Sequence, residues 1–374
     1  MMPLFLGYES AIEMLCYLRT RDHDTAEWCV PCTKMLPRGA IHGKQGIATM
    51  DDEARELLGH ITKPYHVLVK EPERTRRTKT TQPHLWTGDV GRRAFIDLGH
   101  DVFLSTPSFV FLQMATELPR VELIMLGMML CGYYSPSPAF GRSDQDGTSD
   151  TALTKLHKQM TCSAQAFELM PLCSEATLRR FIGNRSGMRG IKAARQALPW
   201  VREHAASHLE TALYLLLCLP VRMGGYGIPP AVLNPRVRVR KPSGDIDCFP
   251  DLYWRDPSVD VEYQSDWAHA TISASYKDSR RMVAIVCNNI EYLAISTGQL
   301  KSIIDTDDAA RGLAKKLGHQ IRGDDGRWVE RRRKLRDIVL PEGFEVFDKN
   351  AGTVKEWRRQ RGRATKDFAS EAVF

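Results

Sequence analysis

Two carboxylates on neighbouring β-patterned segments are the residues in this chain with the most chemistry in them. Cys248-Phe-Pro-Asp-Leu-Tyr-Trp254 reads as a short apolar and aromatic strand with one acid, Asp251, inside it. After the turn Arg255-Asp-Pro-Ser258, Val259-Asp-Val-Glu-Tyr-Gln264 reads as a second strand. Period-two alternation puts Asp260, Glu262 and Gln264 on one face and Val259, Val261 and Tyr263 on the other. One carboxylate from each strand can then converge on a hard divalent cation, Mg²⁺ or Mn²⁺, which takes oxygen ligands and keeps waters and a substrate phosphate. Such an ion generates hydroxide and neutralises charge at phosphorus, the chemistry of phosphodiester hydrolysis. Spacing alone also fits an Asp and a Glu that merely flank a surface hairpin.

These strands need a framework. Ser207-His-Leu-Glu210 opens an apolar helix with capping-box spacing, so the ordinary role of Glu210 is to cap. That helix ends before Pro220, and Gly224-Gly-Tyr-Gly227 with Pro229-Pro230 forms a sharp loop into a strand at Val237 to Arg240. A helix over Ser275 to Asn288 and a strand over Tyr292 to Thr297 follow.

The run PDLYW, then VEYQSDWAH, then DSRR and a final strand, resembles the PD-(D/E)XK endonuclease-like domains allied to very-short-patch repair nucleases. The matching residues are Pro250-Asp251, Glu262-Tyr263-Gln264, His269 and Asp278-Ser279-Arg280-Arg281, and a preceding Ser-x-x-Glu helix corresponds to Ser207 and Glu210. The resemblance covers about residues 205 to 300 and implies a core of order αβββαβ. It implies metal ligation by Asp251 and Glu262, water orientation by Gln264, an accessory role for Glu210, and a carbonyl ligand from Tyr263. The third catalytic position, Lys in much of the superfamily and Asp in this subgroup, is Gln264. A neutral amide orients water through its carbonyl oxygen but brings neither charge nor a useful pKa.

The N-terminal part resembles the abortive-infection antitoxin-like region that actinobacterial proteins join to such a nuclease domain, on Phe111-Leu-Gln-Met-Ala115, Leu130-Cys-Gly-Tyr133 and Leu219 to Pro229. That implies a place in defence or regulation and a cognate toxin-like partner. Residues 1–65 are expected to hold a small helical DNA-binding module, with helices at Ser10 to Thr20 and Asp51 to His60. Residues 66–140 are expected to be mixed. They include a hairpin at Phe95 to Ser105 and helices after Thr106-Pro107 and from Val121 to Leu130. Ser135 to Ser149 reads as a linker, and 150–200 as a basic helical segment. Residues 205–300 are the nuclease-like core, and 301–374 a basic helical extension. The fold class is therefore α+β, a helical and small-sheet N-terminal region followed by a restriction-endonuclease-like core.

A net charge of +7 favours a polyanionic partner, DNA, with His269, Lys277, Arg281, Arg331, Arg332 and Arg333 as the groups expected to meet it. Nine cysteines, an odd number, form no disulfide framework and suit a reducing cytoplasm. Cys29-Val-Pro-Cys32 with His23 and His42 offers zinc-ligand types, but the histidines do not pair as such sites require, so these read as free thiols. The start of the chain lacks a cationic leader, and its longest apolar runs fall short of the ~20 residues that span a bilayer. The expected activity is a Mg²⁺- or Mn²⁺-dependent deoxyribonuclease. The alternatives are a non-catalytic DNA-binding regulator of the antitoxin type and a toxin-neutralising binder.

Overall fold

A computed structural model describes residues 3–21, 50–71, 76–89, 94–136, 152–161, 165–241, 244–264, 283, 285, 287–321 and 326–341. The chain divides into two units, Met1–His208 and Leu209–Phe374. Both mix helix and sheet, so the fold class is α+β. Among the described residues no helix is long and apolar enough to cross a membrane.

The first unit opens with strand β1 (Leu4–Leu6), helix α1 (Tyr8–Arg21) and helix α2 (Asp52–Leu58). Strands β2 (Tyr65–Val69), β3 (Thr81–Leu85), β4 (Phe95–Asp97) and β5 (Val102–Ser105) follow. They form a five-stranded sheet of order β3-β2-β1-β5-β4. β1 runs parallel to β5 and antiparallel to β2, which is parallel to β3. Residues 1–65 are therefore not a separate helical module, because β1 is the middle strand of a sheet completed by later residues. Leu4, Phe5 and Leu6 are all buried, and a three-residue apolar run has no period by which to announce a strand. The Phe95 to Ser105 hairpin forms as its alternation predicts, with Gly99, His100 and Asp101 all at positive φ in the turn.

Helices α3 (Pro107–Met114) and α4 (Arg120–Cys131) then pack as core, α3 with Pro at its first position. The buried Arg19 guanidinium donates to the carbonyls of Met129, Gly132 and Tyr134, closing the C-terminal end of α4 where partial negative charge collects. Burial pulls its pKa down to about 10, so it remains charged at neutral pH. The expected linker starts inside structure, since β6 (Ser135–Pro136) pairs with β7 (Gln165–Ala166), and residues 137–150 lie outside the described set. The basic segment is helical, with α5 (Ala152–Thr161), α6 (Glu175–Gly183) and α7 (Ile191–Ala197). Some of its cations are spoken for: Arg179 pairs with Glu175, and Arg185 lies 3.4 Å over the Phe181 ring.

In the second part of the chain, α8 (His208–Cys218) leads into the Gly224-Gly-Tyr-Gly227 loop. A Cβ at Gly225 would run into the Leu219 carbonyl and one at Gly224 into the Arg331 carbonyl, so the backbone approaches there only because glycine has no side chain. Strand β8 (Val232–Leu233) follows, then a hairpin of β9 (Val237–Val239) and β10 (Ile246–Cys248). The expected strand at 237–240 thus pairs within its own two-stranded sheet, outside the main one. β11 (Leu252–Arg255), β12 (Ser258–Gln264) and β13 (Glu291–Ser296) complete a four-stranded sheet of order β13-β12-β11-β8. β8, β11 and β12 are antiparallel in turn, and β12 and β13 are parallel. Of the helix expected over 275–288, positions 283, 285 and 287 are described and helical and Asn288 is already in a turn; the rest lies outside the described residues.

Helices α9 (Thr297–Lys301), α10 (Ile303–Lys316) and α11 (Gly326–Val339) end the described chain. Here the basic run needs a correction. Arg332, expected to meet DNA, is 1% exposed, held between the rings of Trp328 at 3.3 Å and Tyr226 at 4.1 Å. It donates to Asp307 Oδ1 at 2.6 Å and to the Tyr226 hydroxyl at 2.8 Å. Arg336, also buried, donates to the Leu300 carbonyl and the Thr306 hydroxyl. The reason is helical phase: Trp328, Arg332, Leu335, Arg336 and Val339 recur at three- and four-residue spacing and form the inward face of α11. Arg331 is exposed and Arg333 half-buried.

Candidate metal centre

Asp251 lies in the bend just before β11 and not inside a strand, because β10 and β11 are separate, interrupted at Phe249-Pro250-Asp251. Proline lacks the N–H that a continuous ladder needs there. The Asp251 carbonyl accepts from the Asn234 backbone N–H at 3.2 Å, and its Oδ2 accepts from the Tyr263 N–H at 2.7 Å. The antiparallel register pairs Leu252 with Val261, so one step further along it Asp251 stands opposite Glu262. Directly opposed residues in such a pair have Cα atoms about 4.5–5.5 Å apart. The two acids read from the sequence are thus brought to the same end of the β11–β12 pair.

Glu210, on the first turn of α8, is 7% exposed and accepts from Asn234 Nδ2 at 2.8 Å. Asn234 therefore links the helix acid to the backbone of Asp251, bonding to one with its amide and to the other with its N–H. Sequence reading missed it. The available signal was Leu233-Asn-Pro235, an Asn that can take positive φ (here 45°) immediately after a strand.

Gln264 ends β12 on the same strand face as Glu262. Its Nε2 reaches the Tyr292 hydroxyl at 3.4 Å, and its carbonyl accepts from Thr297 Oγ1 at 3.3 Å. The Thr297 hydroxyl also lies 2.9 Å from that of Tyr263, so the strand end is tied to the start of α9. Asp260, in phase with both, departs from the expected pattern of one open face: it is fully buried, as are Val259 and Val261. β12 lies between β11 and β13 and is covered on both faces from Val259 to Val261, with Ser258 at one end and Glu262, Tyr263 and Gln264 at the other half-buried.

Asp251 and Glu262 are hard oxygen donors on opposed positions, a donor set that fits Mg²⁺ or Mn²⁺. His269, Lys277 and Arg281 lie outside the described residues, as do Cys29, Cys32, His23 and His42. Elsewhere the exposed group Asp51, Glu53 and His100 has a local explanation, since Asp51 caps α2 through the Ala54 N–H and pairs with His100. Compared with protein-family models, characterised proteins and solved structures, the chain finds no match.

Proposed function

We propose that the second unit is a Mg²⁺- or Mn²⁺-dependent deoxyribonuclease core of the PD-(D/E)XK kind, with Asp251 and Glu262 as metal ligands. The observation that carries this reading is the pair of contacts that sets Asp251 against the end of β12: the Tyr263 N–H on its carboxylate and a register that opposes it to Glu262. Support also comes from the sheet, in which β11 runs antiparallel to both β8 and β12 and β13 returns parallel to β12. With α8 in front, helical residues before β13 and the β9–β10 hairpin as an insertion outside the main sheet, the strands of that sheet are compatible with the order αβββαβ.

When bound, the cation would lower the pKa of a water and neutralise charge at phosphorus. The protein's share is positional. Tyr263 N–H and the Asn234 bonds hold Asp251 and Glu210 in place, and the Gln264 amide can orient a water on the side of Glu262. Exposed Arg331 and half-buried Arg333 are the described cations of the expected DNA-binding set that remain accessible to a phosphate backbone. Calorimetric titration with Mn²⁺ tests the site. Asp251→Ala and Glu262→Ala are each expected to remove one Mn²⁺ from the stoichiometry the parent shows, with folding retained; a parent-like stoichiometry in both would put the metal elsewhere.

A second reading, a DNA-binding regulator with a toxin-like partner, is favoured by one observation. The Gln264 amide already bonds to the Tyr292 hydroxyl, which suits a residue serving structure.

A further inference from the structure

The first unit holds a cluster that the nuclease reading leaves unused. His66 on β2 and His84 on β3 lie on the same face of the sheet, diagonal to each other in a parallel register that pairs His66 with Gln82 and Leu68 with His84. Glu9, in the first turn of α1, completes the group. Its Oε2 is 2.6 Å from His66 Nδ1, and His84 Nε2 is 3.0 Å from the same nitrogen. The Glu9 and His66 side chains are only 12% and 10% exposed. The three ligand-type atoms lie within 4.8 Å of one another.

Hydrogen bonding alone does not account for this convergence. One ring nitrogen carries at most one proton, so His66 Nδ1 cannot donate to the carboxylate and to the second imidazole together. Glu9 Oε2 approaches that nitrogen to 2.6 Å and His84 Nε2 to 3.0 Å, so one proton at most serves two short contacts. Three ligand-type atoms gathered within 4.8 Å of one another are what a cation satisfies at once. Two imidazoles and a carboxylate are ligands for a borderline transition metal, whereas Mg²⁺ prefers oxygen. Around a tetrahedral Zn²⁺ with bonds of ~2.0–2.1 Å the ligand atoms sit ~3.3 Å apart, so the 2.6 Å Glu9–His66 separation would open by about 0.7 Å and the 3.0 Å His84–His66 separation by about 0.3 Å.

We propose that Glu9, His66 Nδ1 and His84 Nε2 form a Zn²⁺-class site in the first unit, three protein ligands with the fourth position left to water or an incoming oxygen or nitrogen donor. The surroundings suit it. Burial first, then the neighbouring His66, brings the His84 pKa down to about 4, so its ring is neutral and ready to ligate at pH 7. Burial acts against ionised Glu9, but His66 outweighs it and the carboxyl stays below its ordinary range. The His84 ring is oriented by stacking on Tyr8, centroids 3.8 Å apart at 17°. Ser10 Oγ accepts the His66 backbone N–H, fixing β2 against α1.

The test uses the full chain, with Zn²⁺ competition against a chromophoric chelator and Co²⁺ as a spectroscopic substitute. One Co²⁺ is expected to bind with the visible bands of a four-coordinate nitrogen and oxygen site and no thiolate charge-transfer band. Cys29→Ser/Cys32→Ser and Asp251→Ala should retain that spectrum. His84→Gln and Glu9→Gln should lose it and weaken Zn²⁺ by more than the roughly 10–100-fold that loss of an outer-shell partner costs. Should those variants fail to fold, pulsed EPR of a paramagnetic ion in the parent decides, since two coordinated imidazoles are expected. A thiolate spectrum that vanishes in the cysteine variant, Zn²⁺ affinity unchanged in a folded His84→Gln, or an EPR signal without bound imidazole would each overturn the proposal.

Discussion

Arg332→Ala is expected to destabilise the second unit by about 3–5 kcal/mol, while Arg331→Ala one residue away changes it by less than about 0.5 kcal/mol. Both side chains belong to the same basic run, and only burial separates them. Arg332 is paired with Asp307 at 2.6 Å, with both side chains 2% exposed. Removing it takes from a buried carboxylate its 2.6 Å partner and takes the cation away from the Trp328 and Tyr226 rings, while Arg311 remains 2.9 Å from Asp307. Against a total of about 5–15 kcal/mol for a domain, that loss is large. Amide exchange followed through α10 and α11 measures it. Equal protection in the two variants would contradict the packing described for α11.

Gln264→Lys is expected to raise metal-dependent DNA cleavage about a hundredfold, and Gln264→Ala to lower it, with little change in Mn²⁺ affinity for either. The third position of the resembled enzymes follows the ligand Glu by two residues on the same strand face, and Gln264 has that relation to Glu262. A cation there faces the negative charge that accumulates in the transition state, help commonly worth about 3 kcal/mol. The amide offers none of it. The exchange also breaks the 3.4 Å contact to Tyr292, a long and weak bond whose loss costs little. Rates of plasmid nicking under single-turnover conditions separate the three proteins; a Lys variant no faster than the Ala variant would show that Gln264 does not face the reaction.

What the sequence disclosed follows from range. Local signals were readable: the Gly99-His-Asp turn, Thr106-Pro107 ahead of α3, and the alternation of Val259 to Gln264. β1 was not, because Leu4 to Leu6 is too short for a period and is placed by pairing with Val67 and with Val102 to Leu104. Burial of Arg332 was hidden because charge was weighed above phase, although it is in step with Trp328, Leu335, Arg336 and Val339. At the carboxylate site the types and strands of Asp251 and Glu262 were legible, yet the bend at Pro250 and the bridging Asn234 depend on tertiary contacts. Glu9, His66 and His84 carry no motif at all. Strand register alone unites the two histidines, and α1 brings the acid.

The central claim, that Asp251 and Glu262 hold the ion that drives DNA hydrolysis, is tested most directly by nicking of supercoiled plasmid in Mg²⁺ or Mn²⁺, parent against Asp251→Ala. The account predicts that the parent cuts, that chelator stops it, and that Asp251→Ala stays at the level of the chelated control. A parent that binds DNA but cuts no faster than Asp251→Ala would contradict it and leave the regulator reading standing.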